Sequence, residues 1–246
     1  MNKKKEIICL ICCRGGSRTI KNKNIKLFNK KPLLYWSLKN ITKSKVFTKI
    51  ILSTDSEKIA NFARNFKNIE IPGLRPKNLA KSNSNQFETH RYIFKKLKIE
   101  DKNSIVCVFN NNPFITAEKI NESFKIYQKN KFKGLVTDAA LVDGDYIAWK
   151  QCVFKKGKIN YIFKNKFLNL ELNRQALNKY YVNIFNLRWG KPSYLKSYLS
   201  YKKQLLKKNN KNIFLNKLEN FDLDDLYDWK ISELVHKRFY NAGFKI

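Results

Sequence analysis

Residues 7–25, IICLICCRGGSRTIKNKNI, decide the fold of this chain. The apolar run 7–12 is typical of a buried strand, and it stops at a basic loop that carries Gly15 and Gly16. Glycines let backbone N–H groups approach an anion closely, and fixed cations nearby complete its neutralisation. The segment therefore predicts a phosphate cradle at the end of a first strand. It matches neither the Walker pattern nor G-x-G-x-x-G, so a plain basic surface loop is the alternative.

The remaining sequence alternates between strand-like and helix-like stretches. Further strands are predicted at residues 49–53, 69–71, 104–109, 134–138, 181–187 and 212–216. Helices are predicted at residues 32–44, 56–66, 86–97, 116–130 and 193–207, and at the end of residues 221–239. This order indicates an α/β, Rossmann-like fold whose mainly parallel sheet is covered by helices on both faces. Ligands bind such sheets beyond the carboxyl ends of the strands, so the loops at Arg14, Asp55, Arg75 and Asn110 should converge.

We interpret residues 1–246 as one domain with one insertion. Residues 146–163 break the alternation and have the pattern of antiparallel hairpins that turn at residues 155–158. We therefore expect a small β-hairpin insert at about residues 144–180, an element that often serves dimerisation or acts as a lid.

The composition is strongly basic, with 51 Lys and Arg residues against 19 Asp and Glu residues and a net charge of +32. Such a charge favours binding to polyanions, so a non-catalytic basic polyanion-binding protein is one hypothesis. The basic residues are mostly lysine, they are scattered, and no nucleic-acid motif accompanies them. Codon usage in an A/T-rich genome explains the abundance of Lys, Asn, Ile, Phe and Tyr equally well. We therefore expect no specific nucleic-acid partner.

Cysteine and apolar content indicate a cytoplasmic protein without a membrane segment. The five cysteines are odd in number and three of them lie in or beside the first apolar run, which is typical of reduced, buried thiols. No run approaches the roughly 18 apolar residues that span a bilayer. The two histidines, His90 and His236, stand alone in the sequence, and we expect surface or packing roles for them.

An acidic cluster near the carboxyl end stands out in this basic chain. Asp222 and Asp224 point to the same side of an extended segment, where two carboxylates suit Mg²⁺ that bridges to phosphate oxygens. Alternatively, Asp224, Asp225 and Asp228 favour the amino terminus of a last helix. The residues leave these two interpretations open.

Together these motifs resemble the acylneuraminate cytidylyltransferases, which make CMP-activated nine-carbon sugar acids. That family opens with A-R-x-G-S-K and K-N-I, then has S-S/T-D, R-P-x-x-L-A, R-Q and a late D-I/L-D. The matching segments, in the same order over nearly the whole chain, are residues 14–18, 23–25, 53–55, 75–80, 174–175 and 222–224.

The resemblance implies an enzyme, a cytidylyltransferase, that transfers CMP from CTP to the anomeric hydroxyl of a sialic, pseudaminic or legionaminic acid-like substrate. It also implies Mg²⁺ as cofactor, pyrophosphate as product and a homodimer. The implied catalytic residues are Arg14 and Lys23, and the implied metal ligands are Asp222 and Asp224. The implied nucleotide-binding residues are Gly15, Gly16, Ser17, Arg18, Asn24, Arg75 and Asn111. The implied substrate-binding residues are Phe109, Asn112, Arg174 and Gln175.

The chain departs from the family pattern mainly where sugar and base would bind. Phe109 stands where the family has a glutamine, Arg18 replaces a lysine, and residues 183–187 lack the glycine of N-G-A-I-Y. Lys81 and Ser82 stand where an acidic residue is expected. The phosphate and metal motifs are retained, so we expect nucleotidyl transfer with an altered sugar acid. A Kdo-type or other nucleotide-sugar nucleotidyltransferase is the alternative.

Overall fold

The computed structural model describes residues 5–142, 152–155, 158–162 and 180–241. Its strands are β1 (Glu6–Cys12), β2 (Leu27–Phe28), β3 (Lys31–Pro32), β4 (Lys49–Ser53), β5 (Ile69–Glu70), β6 (Ser104–Phe109), β7 (Val136–Leu141), β8 (Cys152–Lys155), β9 (Lys158–Tyr161), β10 (Tyr181–Gly190) and β11 (Lys211–Leu215). Its α-helices are α1 (Leu33–Ser44), α2 (Glu57–Arg64), α3 (Gln86–Lys96), α4 (Ala117–Lys129), α5 (Pro192–Leu195), α6 (Tyr198–Leu205) and α7 (Leu226–Asn241). Short 3₁₀ turns lie at Lys23–Ile25 and Lys77–Leu79.

Seven strands form the central sheet in the order β11-β7-β10-β6-β1-β4-β5. β1 pairs in parallel with β4 and β6, and the other neighbouring pairs are parallel except those of β10. β10 runs antiparallel to both β6 and β7. The predicted Rossmann-like, mainly parallel sheet is therefore confirmed. The sequence predicted a strand at β10 but not its direction.

Strand alternation divides the core into two layers. Cys9 and Ile11 of β1 face the side covered by α1, α2 and α4, while Ile8 and Leu10 face α3, α5 and α6. All four side chains are fully buried. Full burial of an apolar side chain of this size contributes about 1.5–3 kcal/mol, so the sheet is held by helices on both faces. This confirms the predicted coverage.

Most predicted helices are present, and one of them is divided in two. Thr116 caps α4 as expected, because its side-chain oxygen accepts from the Lys119 backbone N–H. The single helix predicted at residues 193–207 is divided into α5 and α6. Ser197 adopts an extended conformation and caps α6 by accepting from the Ser200 N–H, which ends the first helix and starts the second.

The predicted insert is described only at its hairpin. β8 and β9 pair antiparallel, and the register brings Lys155 opposite Lys158, as the sequence predicted for the turn. The rest of the insert, including Arg174 and Gln175, lies outside the described residues. Its use in dimerisation and the assignment of residues 1–246 to one domain stay predictions.

Cys9, Cys12, Cys13 and Cys107 are free thiols. Cys9, Cys13 and Cys107 are buried in the main core. Burial raises the pKa of the Cys12 thiol to about 11 and that of Cys13 to about 12, so both stay protonated. In the part of the chain that the structure describes, no helix has the length and apolar character needed to cross a membrane.

Both histidines are buried and packed. The Nδ1–H of His90 donates to the Leu195 carbonyl oxygen at 3.0 Å, and its Nε2 has no hydrogen-bond partner within the described residues. His236 lies against the rings of Phe28 and Trp36. Burial lowers the pKa of His90 to about 3 and that of His236 to about 4. These are neutral packing residues rather than acid–base catalysts.

We expect the free energy of unfolding to fall as the pH is lowered from about 6.5 to about 4. Unfolding restores the ordinary imidazole pKa, so the unfolded chain binds more protons than the folded chain in this range. Burial raises the pKa of Asp138 in β7 to about 6. Between about pH 6 and pH 4 the folded chain therefore binds one proton at Asp138 that the unfolded chain does not bind, which partly offsets the effect of the histidines. Chemical denaturation at several pH values measures the slope. Asp138→Asn should steepen the pH dependence and His236→Gln should flatten it, whereas an unchanged slope in both contradicts the assignment.

Candidate active site

A crevice of about 380 Å³ lies at the carboxyl edge of the parallel strands. The loops after β1 and β6, the middle of β10 and the segment after β11 contribute to it. Its lining residues are Cys12, Arg14, Gly16, Ser17, Arg18, Thr19, Lys23, Asn24, Asn110, Asn111, Ile184, Asn186, Asn220, Phe221, Asp222 and Asp224. Nine residues predicted from the sequence are therefore brought together.

The glycine loop is fastened to the end of β4. The Gly15 N–H donates to Asp55 Oδ1 at 2.9 Å, and Gly15 lies so close to α2 that an added Cβ would lie 2.9 Å from Ser56 Cβ. Gly16, in contrast, has no atom within 4 Å of an added Cβ and lines the crevice. Gly15 therefore serves packing, and Gly16 leaves the backbone accessible to a ligand.

Arg75 lies behind the glycine loop rather than on the crevice surface. Its side chain is only 6% exposed, its Nη2 lies 3.6 Å from Asp55 Oδ1, and its backbone N–H donates to the Thr54 carbonyl. Its Nη1 donates to Thr89 Oγ1 at 3.3 Å. This placement makes Arg75 a positioning residue for Asp55 and, through it, for Gly15.

Asn24 and Asn111 form a hydrogen-bonded relay. Ser37 Oγ donates to Asn111 Oδ1 at 2.7 Å, Asn111 Nδ2 donates to Asn24 Oδ1 at 2.8 Å, and Asn24 Nδ2 donates to the Arg14 carbonyl at 2.9 Å. Each of these side-chain amides therefore uses its oxygen and one N–H in hydrogen bonds within the protein. The relay fixes the Arg14 peptide, so these two predicted nucleotide-binding residues orient the loop.

Three cationic side chains line the crevice, namely Arg14, Arg18 and Lys23. Arg18 Nη2 donates to Ser82 Oγ at 2.5 Å, which links the glycine loop to the loop after the Lys77–Leu79 turn. Arg18 and Ser82 are two of the positions at which the sequence departs from the family pattern, and here they contact each other.

The acidic cluster divides between two roles. Asp222 and Asp224 line the crevice. Asp225 Oδ1 accepts from the N–H groups of Tyr227 and Asp228, and Asp228 Oδ2 accepts from those of Asp224 and Asp225. The pair nearest the crevice is therefore separate from the pair that caps α7. Asp225 and Asp228 therefore act as the helix start that one interpretation predicted, while the metal-binding role of Asp222 and Asp224 stays a prediction.

Packing of α7 brings the acidic pair to the glycine loop. Trp229 meets the Phe28 ring edge-on at 5.4 Å between centroids. Asn29, in the turn between β2 and β3, donates its backbone N–H to Glu233 Oε1 and its Nδ2 to the Glu233 carbonyl. The carboxyl-terminal helix is thus docked on the hairpin that follows the loop.

Two predicted substrate-binding residues lie elsewhere. Phe109 is fully buried in the main core, on the face covered by α1, α2 and α4, and does not line the crevice. Asn112 is 4% exposed and donates from Nδ2 to the Glu219 carbonyl at 3.1 Å, while its Oδ1 accepts from the Phe114 N–H. The alternation of β6 turns Phe109 inward, and Asn112 anchors the segment that carries Asp222.

A bulge in β10 forms one wall, and its support was missed from the sequence. The register of β10 against β7 shifts between Asn183 and Arg188, and Phe185 adopts a left-handed φ of 67°. Asp138 Oδ2 accepts from the N–H groups of Asn186 and Leu187. Asp138 is an acidic residue at the end of the mainly apolar strand predicted at residues 134–138. That acidic residue was the sequence signal that could have identified the support of the bulge.

Arg188 is a second residue that sequence reasoning missed. It is 1% exposed, donates from Nη2 to Gln86 Oε1, and lies about 6 Å from the ring centres of Phe87, Phe185 and Tyr201. These contacts join α3, α6 and the bulge, so Arg188 stabilises the wall from the core side.

Residues 8–183 match the model of the cytidylyltransferase family, and the chain belongs to that family. It is therefore an enzyme of the class that the family resemblance implied. Within the described residues, no group of three or more His, Cys, Asp or Glu side chains gathers to hold a metal ion.

Curated relatives of this chain include pseudaminic acid cytidylyltransferases. The chain is 23% identical over 240 residues to the pseudaminic acid cytidylyltransferase of Campylobacter jejuni, a match that covers 96% of this chain and 99% of the relative. It is 30% identical over 124 residues to a Helicobacter pylori protein, the pseudaminic acid cytidylyltransferase and UDP-2,4-diacetamido-2,4,6-trideoxy-beta-L-altropyranose hydrolase. That match covers 50% of this chain but only 24% of the relative.

Among solved structures, the chain resembles CMP:2-keto-3-deoxy-manno-octonic acid synthetase in complex with CTP. The TM-score is 0.65 at 9% identity, and the match covers 95% of this chain and 99% of the other. At this identity the likeness shows the fold, which is the predicted one.

We expect Gly15→Ala and Gly16→Ala to differ sharply in stability. The new methyl at residue 15 would overlap Ser56, so the loop must shift, and we expect a loss of about 1–3 kcal/mol. The methyl at residue 16 meets nothing within 4 Å. Thermal unfolding measures both variants. Equal melting temperatures for the two would contradict the close packing of Gly15.

Proposed function

We propose that the enzyme transfers CMP from CTP to the anomeric hydroxyl of a 2-keto nine-carbon sugar acid and releases pyrophosphate. The observation that carries this proposal is the meeting of Arg14 and Lys23 with Asp222 and Asp224 in one crevice. Cations and carboxylates from opposite ends of the chain suit a triphosphate with its metal ion. The full-length similarity to a pseudaminic acid cytidylyltransferase supports the choice of sugar acid.

The glycine loop would hold the triphosphate. Gly16 and Ser17 bring the backbone of the loop to the crevice, and Arg14, Arg18 and Lys23 supply positive charge around it. Backbone donors and fixed cations that are already oriented stabilise the charge that develops on the phosphates during transfer. Asp55, Arg75, Asn24 and Asn111 keep this loop in place.

Asp222 and Asp224 would hold Mg²⁺. Two carboxylates fit a cation that binds through one or two protein carboxylates and completes its coordination with phosphate oxygens and water. Asp224 makes no side-chain hydrogen bond within the described residues, and Asp222 uses one oxygen for the Leu223 N–H, so oxygen atoms remain for a cation. When bound, the ion would neutralise charge on the triphosphate and on the leaving pyrophosphate.

The reaction needs positioning more than covalent chemistry. The anomeric oxygen forms a bond to the α-phosphorus as the bond between that phosphorus and the bridging oxygen breaks. The hydroxyl proton leaves to solvent, and the products are the CMP-sugar and pyrophosphate. Arg14 and Lys23 orient the triphosphate for in-line attack, which supplies most of the rate acceleration expected from such a site. Assembly as a homodimer and a cytoplasmic location stay predictions.

Pyrophosphate release tests the proposal directly. We expect release with Mg²⁺ that requires CTP, rather than GTP, UTP or ATP, and one acid from a panel of nine-carbon 2-keto acids. The eight-carbon 2-keto-3-deoxy-manno-octonic acid serves as the competing substrate. Preference for that acid would replace the substrate proposed here. CTP binding without turnover on any acid would contradict the transfer, and absence of nucleotide binding would favour a polyanion-binding role.

The divided acidic cluster offers a matched test of the metal site. We expect Asp222→Asn and Asp224→Asn each to lower kcat by about a hundredfold or more, because each removes a charge from the proposed metal ligands. Asp225→Asn and Asp228→Asn change the same charge but lie in the α7 cap, so they should alter melting temperature more than kcat. Equal effects on kcat of all four variants, or normal Mg²⁺-dependent activity of the first two, would remove the metal assignment.

A further inference from the structure

Five asparagines line the crevice, and they fall into two groups. The side chains of Asn24 and Asn111 belong to the relay, and Asn110 donates from Nδ2 to the Phe185 carbonyl at 2.9 Å. The side chains of Asn186 and Asn220 make no hydrogen bond to any described residue. Polar side chains in the first group hold the protein together, and those in the second keep both donors and acceptors available.

The backbones of both free asparagines are nevertheless fixed. The Asn186 N–H donates to Asp138 Oδ2 at 2.8 Å, and its carbonyl accepts from the Asn110 N–H at 2.8 Å. The bulge that carries it therefore has little freedom, although its φ at Phe185 is left-handed. A residue whose backbone is fixed and whose side-chain amide has no protein partner is well placed to recognise a ligand.

Asn220 is held in a comparable way on the opposite segment. Its N–H donates to the Asn216 carbonyl at 3.0 Å, and the preceding carbonyl, that of Glu219, accepts from Asn112 Nδ2. Glu219 is itself 7% exposed, accepts from the Asn216 N–H and lies 3.5 Å from Lys119 Nζ. Asn220 is thus two residues from Asp222, on a segment anchored to α4.

We propose that Asn186 and Asn220 are specificity-determining residues that read neutral hydroxyl or acylamino groups of the acceptor sugar acid. The inference rests on the proposed function. The cations Arg14, Arg18 and Lys23 suit the phosphates, whereas a neutral amide offers N–H donors and a carbonyl acceptor to a neutral polar group. Ile184 and Phe221 line the crevice beside the two amides and suit the apolar part of such a substituent.

Sugar acids that lack the matched group are rejected at such a site because half-buried amides would be left unpaired. A site that depends on charge alone would not discriminate in this way. The two asparagines therefore account for selectivity among acids of equal charge, a property that neither the phosphate loop nor the acidic pair supplies.

The test compares Asn186→Ala and Asn220→Ala with wild type, after the acid preferred by wild type has been identified. We expect each variant to raise KM for that acid by about tenfold, the loss of roughly one hydrogen bond, with KM for CTP and melting temperature nearly unchanged. Asn24→Ala, which breaks the relay, should instead raise KM for CTP. Asn65→Ala, an exposed asparagine that follows α2, is the control with unchanged kinetics.

A second readout separates substrate reading from a general loss of activity. The ratio of kcat/KM for the preferred acid to that for its deoxy analogue, in which the recognised hydroxyl or acylamino group is replaced by hydrogen, should shrink in at least one of the two variants. Wild-type KM and unchanged discrimination in both variants would overturn the inference while leaving the proposed function intact. A wild-type enzyme that turns over none of the acids would overturn the proposed function and this inference with it.

Discussion

The site depends on the contacts that the Asp55 carboxylate makes with Gly15 and Arg75. The carboxylate accepts the Gly15 N–H and faces the buried Arg75, so one side chain joins the loop after β1 to the end of β4 and to the loop before α3. A hydrogen bond to an ionised acceptor is stronger than a neutral one, and a partly buried position reduces competition from water. Because Gly15 lies against Ser56, the loop cannot relax toward α2. Gly16 and Ser17, the next two residues of the loop, line the crevice.

The second constraint is the docking of α7 on the β2–β3 hairpin. Asn29 binds both the backbone and the side chain of Glu233, and Trp229 and His236 pack against Phe28. This contact holds the carboxyl-terminal helix beside the amino-terminal part of the chain. Asp222 and Asp224 therefore line the same crevice as the glycine loop. Asp225 and Asp228 cap the helix whose packing sets the position of Asp222 and Asp224. The helix cap and the proposed metal ligands are thus neighbouring residues of one cluster that share no side chain.

Hydrogen bonds within the protein fix part of the polar surface of the crevice. The relay from Ser37 through Asn111 and Asn24 ends on the Arg14 carbonyl, and Asp138 holds the bulge of β10. Saturated networks are rigid because breaking one bond leaves a poorly solvated partner. The rigidity holds Phe185 in its left-handed conformation, which a bulky side chain rarely adopts. Other lining side chains, among them those of Asn186, Asn220 and Asp224, make no hydrogen bond to a described residue.

The amino-acid sequence by itself determined the α/β class, nearly every strand and helix, and the glycine loop. These follow from periodicity, apolar runs and capping residues, which act over a few neighbouring positions. The direction of β10, the inward turn of Phe109, the placement of Arg75 behind the loop and the division of the acidic cluster between the crevice and the α7 cap were decided only by the tertiary structure. Each depends on contacts between segments far apart in the chain. Whether a polar side chain faces a ligand or holds the fold depends on which remote partner reaches it, and no local pattern records that.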